Sequence, residues 1–401
     1  MASLPIGDEY PEYPNIMGVL ARGRIGRLGA TSQPEVIVQM SFLTKKANVV
    51  TKKPIRVALV ANSYTPGGAE SYLYRLYGGL VRQGLVEVTL IGHLPNWPPA
   101  LGPEIRAGVA EKLTRQKPIL PQLRNSLRNA IAIRRALGSH DFDLVHMQYV
   151  REKLTLGKFV TRGLPLLWTE HGPFAQNFPR LGLPLLRRRA SRAQIIAVSE
   201  VVRASFAEKG IDTQVVWNPL PGGATSPRVL RPEGKMSEYI LYAGRVHESK
   251  RLDILLAAAK KLPELRVKIA GDGPDLERLR SLAPANVDFV GHLDNLDELT
   301  SKSLAVVSTS GAAAREGSPM VVLEARNLGV PVLMAQDCHA AVEARQLGAR
   351  LYKPTGNDLA AEIHALGTVL RNEPLTASER HNRGETVWLS RTFTIMARAI
   401  E

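Results

Sequence analysis

Cysteine is nearly absent: Cys338 is the single one in 401 residues. That excludes an intrachain disulfide and any multi-cysteine zinc site. Long apolar runs are missing as well. The longest stretch without Asp, Glu, Lys or Arg, Val88–Pro103, has 16 residues and four prolines. A spanning helix needs about 20 predominantly apolar residues, so this stretch cannot supply one. No basic cluster followed by a compact apolar run opens the chain, and no secretory signal is evident. Aromatics make up only 5%, with no stacking motif or recognition-helix pattern, which disfavours nucleic acid as a partner. These absences lead us to expect a soluble, cytoplasmic protein.

What is present is ordinary globular composition, 44% hydrophobic and 22% charged, over a length that suits two or three domains. The charge is unevenly spread. Residues 1–225 hold 29 basic and 15 acidic side chains, a net +14, and the remainder holds 23 and 22, a net +1. One half is therefore suited to something anionic, or is simply basic on its solvated faces.

Residues 1–50 carry Pro-Glu-Tyr-Pro, scattered glycines and no sustained period, and are expected to be a poorly ordered extension. Met40 is an alternative start, to be decided by N-terminal sequencing of native protein. From Ile55 short apolar runs alternate with helical patterns: Ile55–Val60, Glu87–Ile91, Leu144–Met147, Leu166–Trp168, Ile195–Val198 and Val215–Trp217. Buried strands alternating with helices imply a parallel sheet covered on both faces. Pro219–Glu238, with four prolines and three glycines, interrupts the pattern. It predicts a linker over 221–238 between domains at 51–220 and 239–384. The alternation restarts with Tyr239–Ala243, Val267–Ala270, Val287–Val290, Ala305–Ser308, Val330–Met334 and Arg350–Tyr352. The fold expected is α/β, two Rossmann-like doubly wound domains facing a central cleft. A final amphipathic helix over 385–401 is expected to pack back towards the N-terminal domain.

Three strand-end segments carry chemistry. In Arg315-Glu316-Gly317-Ser318-Pro319-Met320…Glu324, Ser318 and Pro319 read as N-cap and first helical residue. Free N–H groups at such a helix start attract phosphate. Two carboxylates, Glu316 before the helix and Glu324 within it, can accept hydrogen bonds from hydroxyls at either end. A capped helix with two solvated glutamates fits the same pattern. Gly244-Arg245-Val246-His247-Glu248-Ser249-Lys250 follows a strand and supplies two fixed cations able to steady a leaving diphosphate; solvated basic loop residues are the competing reading. Asn62–Glu70 contains Gly67-Gly68 ahead of a helix, an anion cradle or a plain turn. Its spacing lacks the dinucleotide fingerprint, which disfavours NAD. Gly271-Asp272-Gly273-Pro274 is a further strand-end turn.

Taken together, these residues resemble the retaining glycosyltransferases of family 4 (glycosyl transferases group 1), which have the GT-B fold. The resemblance covers about Ile55–Glu401 and rests on the Glu316…Glu324 spacing after Gly-Arg…Lys and Gly-Asp-Gly-Pro. It implies transfer of a hexosyl group from a nucleotide-diphosphate sugar, UDP or GDP, to an acceptor hydroxyl. It implies no cofactor and no metal, and front-face transfer with the leaving phosphate taking the acceptor proton. By the same resemblance Glu316 contacts the transferred sugar and His171, in Thr169-Glu170-His171-Gly172, lies near it. Arg245 and Lys250 hold the diphosphate and complete the catalytic set. Gly67, Gly68, Gly244, Gly271, Gly317, Ser318, Pro319 and Met320 line the donor site, and Glu324 meets the ribose. The chain departs from the pattern at Gly311–Ala314, a lengthened loop, and at Asp337-Cys338-His339-Ala340, which lacks paired glycines.

The N-terminal half binds the acceptor in that family: a glycan, a lipid-linked group or a small metabolite. Between Arg106 and Arg135 eight Lys or Arg face one Glu, with Leu123, Leu127, Ile131 and Ile133 interleaved, and Arg187-Arg188-Arg189 follows later. An anionic membrane surface fits this basic amphipathic helix, placing the protein peripherally on an inner membrane face; an ordinary solvated helix fits it too. Rival functions are a nucleotide-sugar epimerase or phosphorylase on a similar fold, and a nucleic-acid-binding protein.

Overall fold

The computed structural model describes residues 53–64, 67–107, 119–176, 178–220, 239–293, 295–366 and 375–401. The expected extension 1–50 and linker 221–238 lie outside them. The chain divides into Met1–Asn48 and Val49–Glu401, and all described residues belong to the second unit.

Its first half is built on β1 (Ile55–Asn62), β2 (Val86–His93), β3 (Glu104–Ile105), β4 (Leu144–Met147), β5 (Leu166–Glu170), β6 (Ala193–Ala197) and β7 (Gln214–Val215). They form one sheet in the order β3-β2-β1-β4-β5-β6-β7, every pair parallel. The second half uses β8 (Tyr239–Ala243), β9 (Arg266–Ala270), β10 (Val287–Gly291), β11 (Ala305–Ser308), β12 (Val332–Ala335) and β13 (Arg350–Tyr352). Their order is β10-β9-β8-β11-β12-β13, again all parallel. Both central strands, Ile55–Asn62 and Tyr239–Ala243, are buried almost throughout. Helices on both faces leave such strands no solvated side, which is why they read as continuous apolar runs.

The strand order reverses between β1 and β4 and again between β8 and β11. Loops leaving the carboxyl ends part there, and ligands of open α/β sheets bind in the resulting crevice. Gly67 and Gln148 follow β1 and β4; Gly244 and Thr309 follow β8 and β11.

Two sequence expectations need correcting. The first sheet has seven strands, because Glu104–Ile105 adds an edge pair to Leu90 and Ile91. Two residues are too few to show any period. Val330–Met334 begins as a strand only at Val332, since the Val330 N–H closes a helix-end turn onto the Ala325 carbonyl (2.9 Å).

The Glu385–Ile400 helix leaves the second half and completes the core of the first. Trp388, Leu389, Phe393, Ile395, Met396 and Ala397 join the cluster made by the side chains of β1, β4, β5 and β6. Trp388 meets Tyr72 edge to face at 5.1 Å. On the Gly68–Arg82 helix a Cβ added to Gly79 would lie 2.5 Å from Leu389 Cδ1, so a side chain there would require the Leu389 side chain to shift.

Trp388→Ala should lower unfolding stability by about 3–5 kcal/mol, as for other buried large aromatics. Leu181→Ala, at a residue 97% exposed, should stay within about 0.5 kcal/mol of wild type. Urea denaturation of both variants tests whether the C-terminal helix belongs energetically to the first half.

Candidate functional site

In the second half the loops after β8 and β9 lie backbone against backbone. The Gly244 N–H donates to the Ala270 carbonyl at 2.9 Å and the Val246 N–H to the Asp272 carbonyl at 2.9 Å. Gly271 has φ +140, and a Cβ there would overlap the Gly244 carbonyl oxygen. Only glycine fits that approach. Arg245 leaves this loop exposed, and among the described residues its guanidinium has no ion-pair partner.

The chain then makes a single turn of 3₁₀ helix, Glu248–Lys250, and enters a left-handed residue, Arg251, at φ 49. Arg251 grips both Asp337 carboxylate oxygens at 2.7 Å and donates from Nε to the Thr309 carbonyl at 3.0 Å. The guanidinium holds the Asp337 carboxyl below its ordinary pKa. The segment that lacks paired glycines is thus used to anchor Arg251. The Thr309 hydroxyl also donates to the Lys250 carbonyl. Together these bonds fix Lys250 so that Nζ forms an ion pair with Glu316. Glu316 Oε2 is buried and has no hydrogen-bond partner among the described residues. A buried acceptor left unpaired costs free energy until a donor reaches it.

The helix after Glu316 starts one residue later than expected. It spans Met320–Asn327, and Pro319, extended at ψ 122, occupies the cap position without a side-chain hydrogen bond. Ser318 does not cap, because its hydroxyl turns to Glu343 Oε1 at 3.4 Å. From Met320 to Glu324 is then four helical steps, about 6 Å. Burial and nearby Asp297 raise the Glu324 pKa, while Arg75 on the Gly68–Arg82 helix of the first half opposes them. The lengthened loop at Gly311–Ala314 folds as a 3₁₀ turn at Ala312–Ala314, with Gly311 against the Arg251 guanidinium.

The first half meets this loop directly. The Arg315 guanidinium donates to the Pro173 carbonyl at 3.0 Å from Nε and 2.5 Å from Nη2. The Ser199 hydroxyl donates to the Gly317 carbonyl at 2.8 Å, and Asn218 Nδ2 to the Ser318 carbonyl at 3.1 Å. A Cβ on Gly317 would sit 2.6 Å from the His171 carbonyl oxygen, and one on Gly172 would overlap the Arg315 carbonyl. His171 is therefore beside the Glu316 loop. Its Nε2 is 3.0 Å from Gln148 Oε1 and its ring lies edge to face on Tyr72 at 4.7 Å. Burial, helped by the Lys153 charge, lowers its pKa to about 3, so the ring is neutral at ordinary pH.

Lys153 is 1% exposed and bridges the ends of β4 and β5, donating to the Gln148 carbonyl at 2.6 Å, the Thr169 carbonyl at 3.2 Å and Glu170 Oε1 at 2.5 Å. Desolvation pulls Lys153 down and pushes Glu170 up, and the short ion pair opposes both. Gly67 caps the Gly68–Arg82 helix with extended backbone, and a Cβ on Gly68 would meet nothing within 4 Å. Glu70, in the first turn, accepts from the Tyr149 hydroxyl at 2.5 Å.

Folding thus brings Lys250 onto Glu316, and His171 and Gly172 onto Gly317. Arg245 and the Gly67-Gly68 turn sit at the strand ends of their own halves without a direct contact to that group. The sequence pattern did not single out Gln148, Lys153, Ser199 or Asn218, and gave Arg315, the first residue of its segment, no role. Only Ser199, a serine between a strand and the Glu200–Ala207 helix, carries a readable cap signal, and its hydroxyl does accept from the Val202 N–H at 3.4 Å.

Residues 66–220 match the family described as Glycosyltransferase Family 4 and residues 229–384 the family described as Glycosyl transferases group 1. A glycosyltransferase of Haemophilus influenzae is 28% identical over 191 residues, 44% of this chain and 52% of the relative. The chain thus spans about half the length of that relative, and less of several other curated relatives. Among solved structures, a glycosyltransferase from Rickettsia africae superposes with a TM-score of 0.68 at 16% identity, covering 88% of this chain and 100% of that one. HepE of Anabaena, in complex with UDP and glucose, gives 0.58 at 19% identity over 86% and 94%. These structures share the fold.

Two predictions follow from the geometry. Gly317→Ala should hinder seating of the two halves through Val202 and the His171 carbonyl, which small-angle scattering would register as an enlarged radius of gyration. Buried His146, held at about 3 between Tyr77 and Thr169, must stay neutral in the folded state. The unfolded chain therefore binds more protons below about pH 6.5, and stability falls as the pH drops towards the folded value. Glu324 and Glu343, whose pKa values are raised, act in the opposite sense. Urea titrations across this range should show His146→Gln removing about one proton from the pH dependence, close to 1.4 kcal/mol per pH unit.

Proposed function

We propose, from the premise that this chain belongs to the family 4 glycosyltransferases and has their GT-B fold, that it transfers a hexosyl group from a nucleotide-diphosphate sugar to an acceptor hydroxyl with retention of configuration. The Lys250–Glu316 pair carries this reading, because its buried Glu316 Oε2 awaits a donor where three strand-end loops converge. A sugar hydroxyl is such a donor. A diphosphate beside it would draw Lys250 away from Glu316 and engage the exposed Arg245, so two cations would neutralise the leaving group without a metal. Glu324, four helical steps from Met320, is suited to the ribose hydroxyls.

In the reaction the bond from the anomeric carbon to the diphosphate oxygen breaks. A bond to the acceptor oxygen forms on the same face, and the acceptor proton passes to the departing phosphate. Neutral His171, steadied by Gln148, is suited to a hydrogen bond with the sugar rather than to proton transfer near neutral pH. The ligands in the HepE structure support UDP over GDP. The acceptor reading is a glycan, a lipid-linked group or a small metabolite, in polysaccharide, glycolipid or glycosylated-metabolite synthesis.

Thermal shift and calorimetry with UDP, GDP and ADP should show selective stabilisation by one diphosphate. Glu324→Ala and Arg245→Ala should abolish it. Lys250→Met should lower kcat/KM by about 10²–10³-fold, and NMR of the product should show the donor's anomeric configuration. No stabilisation by any nucleotide would overturn the reading, and an inverted product would overturn retention.

A further inference from the structure

Beyond the donor site, the structure redraws the basic face of the first half. Ile133, grouped in sequence with the surface residues, is buried in the core, 3% exposed. Leu127 and Ile131 point outward instead, 64% and 41% exposed. They share one face of the Ile119–Gly138 helix with Arg134, at spacings of four and three. Arg134 leads to a feature absent from the sequence reading. Its guanidinium stacks 3.9 Å above the ring of Phe159 and donates to the Phe159 carbonyl. Phe159 is 73% exposed, at the tip of the loop between the Val150–Thr155 helix and β5.

Around that ring Arg134, Lys158, Arg162 and Gly163 line a shallow open cavity of about 480 Å³. Among the described residues none of these three cations has an acidic partner. No Asp or Glu occurs in 112–140, 153–169 or 171–199, the segments that contain the helix, the loop and the neighbouring Leu183–Ala190 helix. That last helix is continuous with the loop, since the Arg189 guanidinium packs on Gly157.

Scattered exposed apolar side chains are ordinary. Three of them brought together beside segments whose charged side chains are all basic are not accounted for by solubility. We propose that this face docks on an anionic phospholipid bilayer. Phe159, Leu127 and Ile131 enter the interface, and the cavity between Arg134, Lys158 and Arg162 receives a lipid phosphodiester through charge-assisted hydrogen bonds. A nucleic-acid duplex matches the charge but offers no apolar region to three protruding side chains. The inference is independent of the donor-site reading.

Sedimentation of the full chain with vesicles tests it. Binding is expected to vesicles of phosphatidylcholine mixed with phosphatidylglycerol, to weaken with added salt, and to be lacking for phosphatidylcholine alone. Lys158→Glu with Arg162→Glu should weaken it by at least about 25-fold, at about fivefold for each of the two positive charges removed. Phe159→Ser should weaken it at unchanged charge. Both variants should keep the wild-type melting temperature and nucleotide response, which shows that fold and donor site are intact. Equal binding to neutral vesicles, wild-type binding by both variants, or duplex DNA that competes the vesicles off would each overturn the proposal. None of those results would touch the donor-site reading.

Discussion

The close approach of two backbones, His171–Pro173 from one half and Arg315–Ser318 from the other, is the constraint on which the site depends. Gly172 and Gly317 permit it because any Cβ at either position would run into the opposing carbonyl. The Arg315, Ser199 and Asn218 side chains then bond across the junction to backbone carbonyls. Net contributions of about 0.5–1.5 kcal/mol for each such bond favour the seated arrangement without locking it. Glu316 is held next to His171 only while the junction is seated.

Each half prepares its side of that junction differently. In the second half a partly exposed network does it: Arg251 ties Asp337 and Thr309 together, and Thr309 fixes the Lys250 backbone. In the first half the support is buried. Lys153 is removed from water at a cost, repaid only because two carbonyls and Glu170 satisfy its three protons. Because it links the ends of β4 and β5, it fixes the two strands that deliver Gln148 and His171. Its charge also helps to keep His171 neutral. A leucine there would leave those carbonyls unpaired, so the lysine specifies geometry more than it adds stability.

Much of the fold was legible. Tyr239–Ala243, Ala305–Ser308 and Arg350–Tyr352 coincide with their apolar runs, because strands buried on both faces leave an uninterrupted hydrophobic record. Glu104–Ile105 left none, since an edge pair of two residues is held by backbone bonds that any side chain allows. The helix cap failed for a related reason. Ser318 has the right identity, but tertiary packing offered its hydroxyl to Glu343 and moved the helix start past the proline.

The sequence by itself determined the two parallel sheets, the strand-end positions of Glu316, Lys250, Arg245 and His171, and the surplus of positive charge in the first half. Those properties follow from periodicity, spacing and composition, which are local. Tertiary structure alone decided that Lys250 meets Glu316, that Lys153 is buried beneath His171, and that Phe159 stands beside Arg134 on a basic face. Each of these joins residues separated by 66, 18 and 25 positions, and no local pattern records which distant loops a pair of folded sheets will bring together.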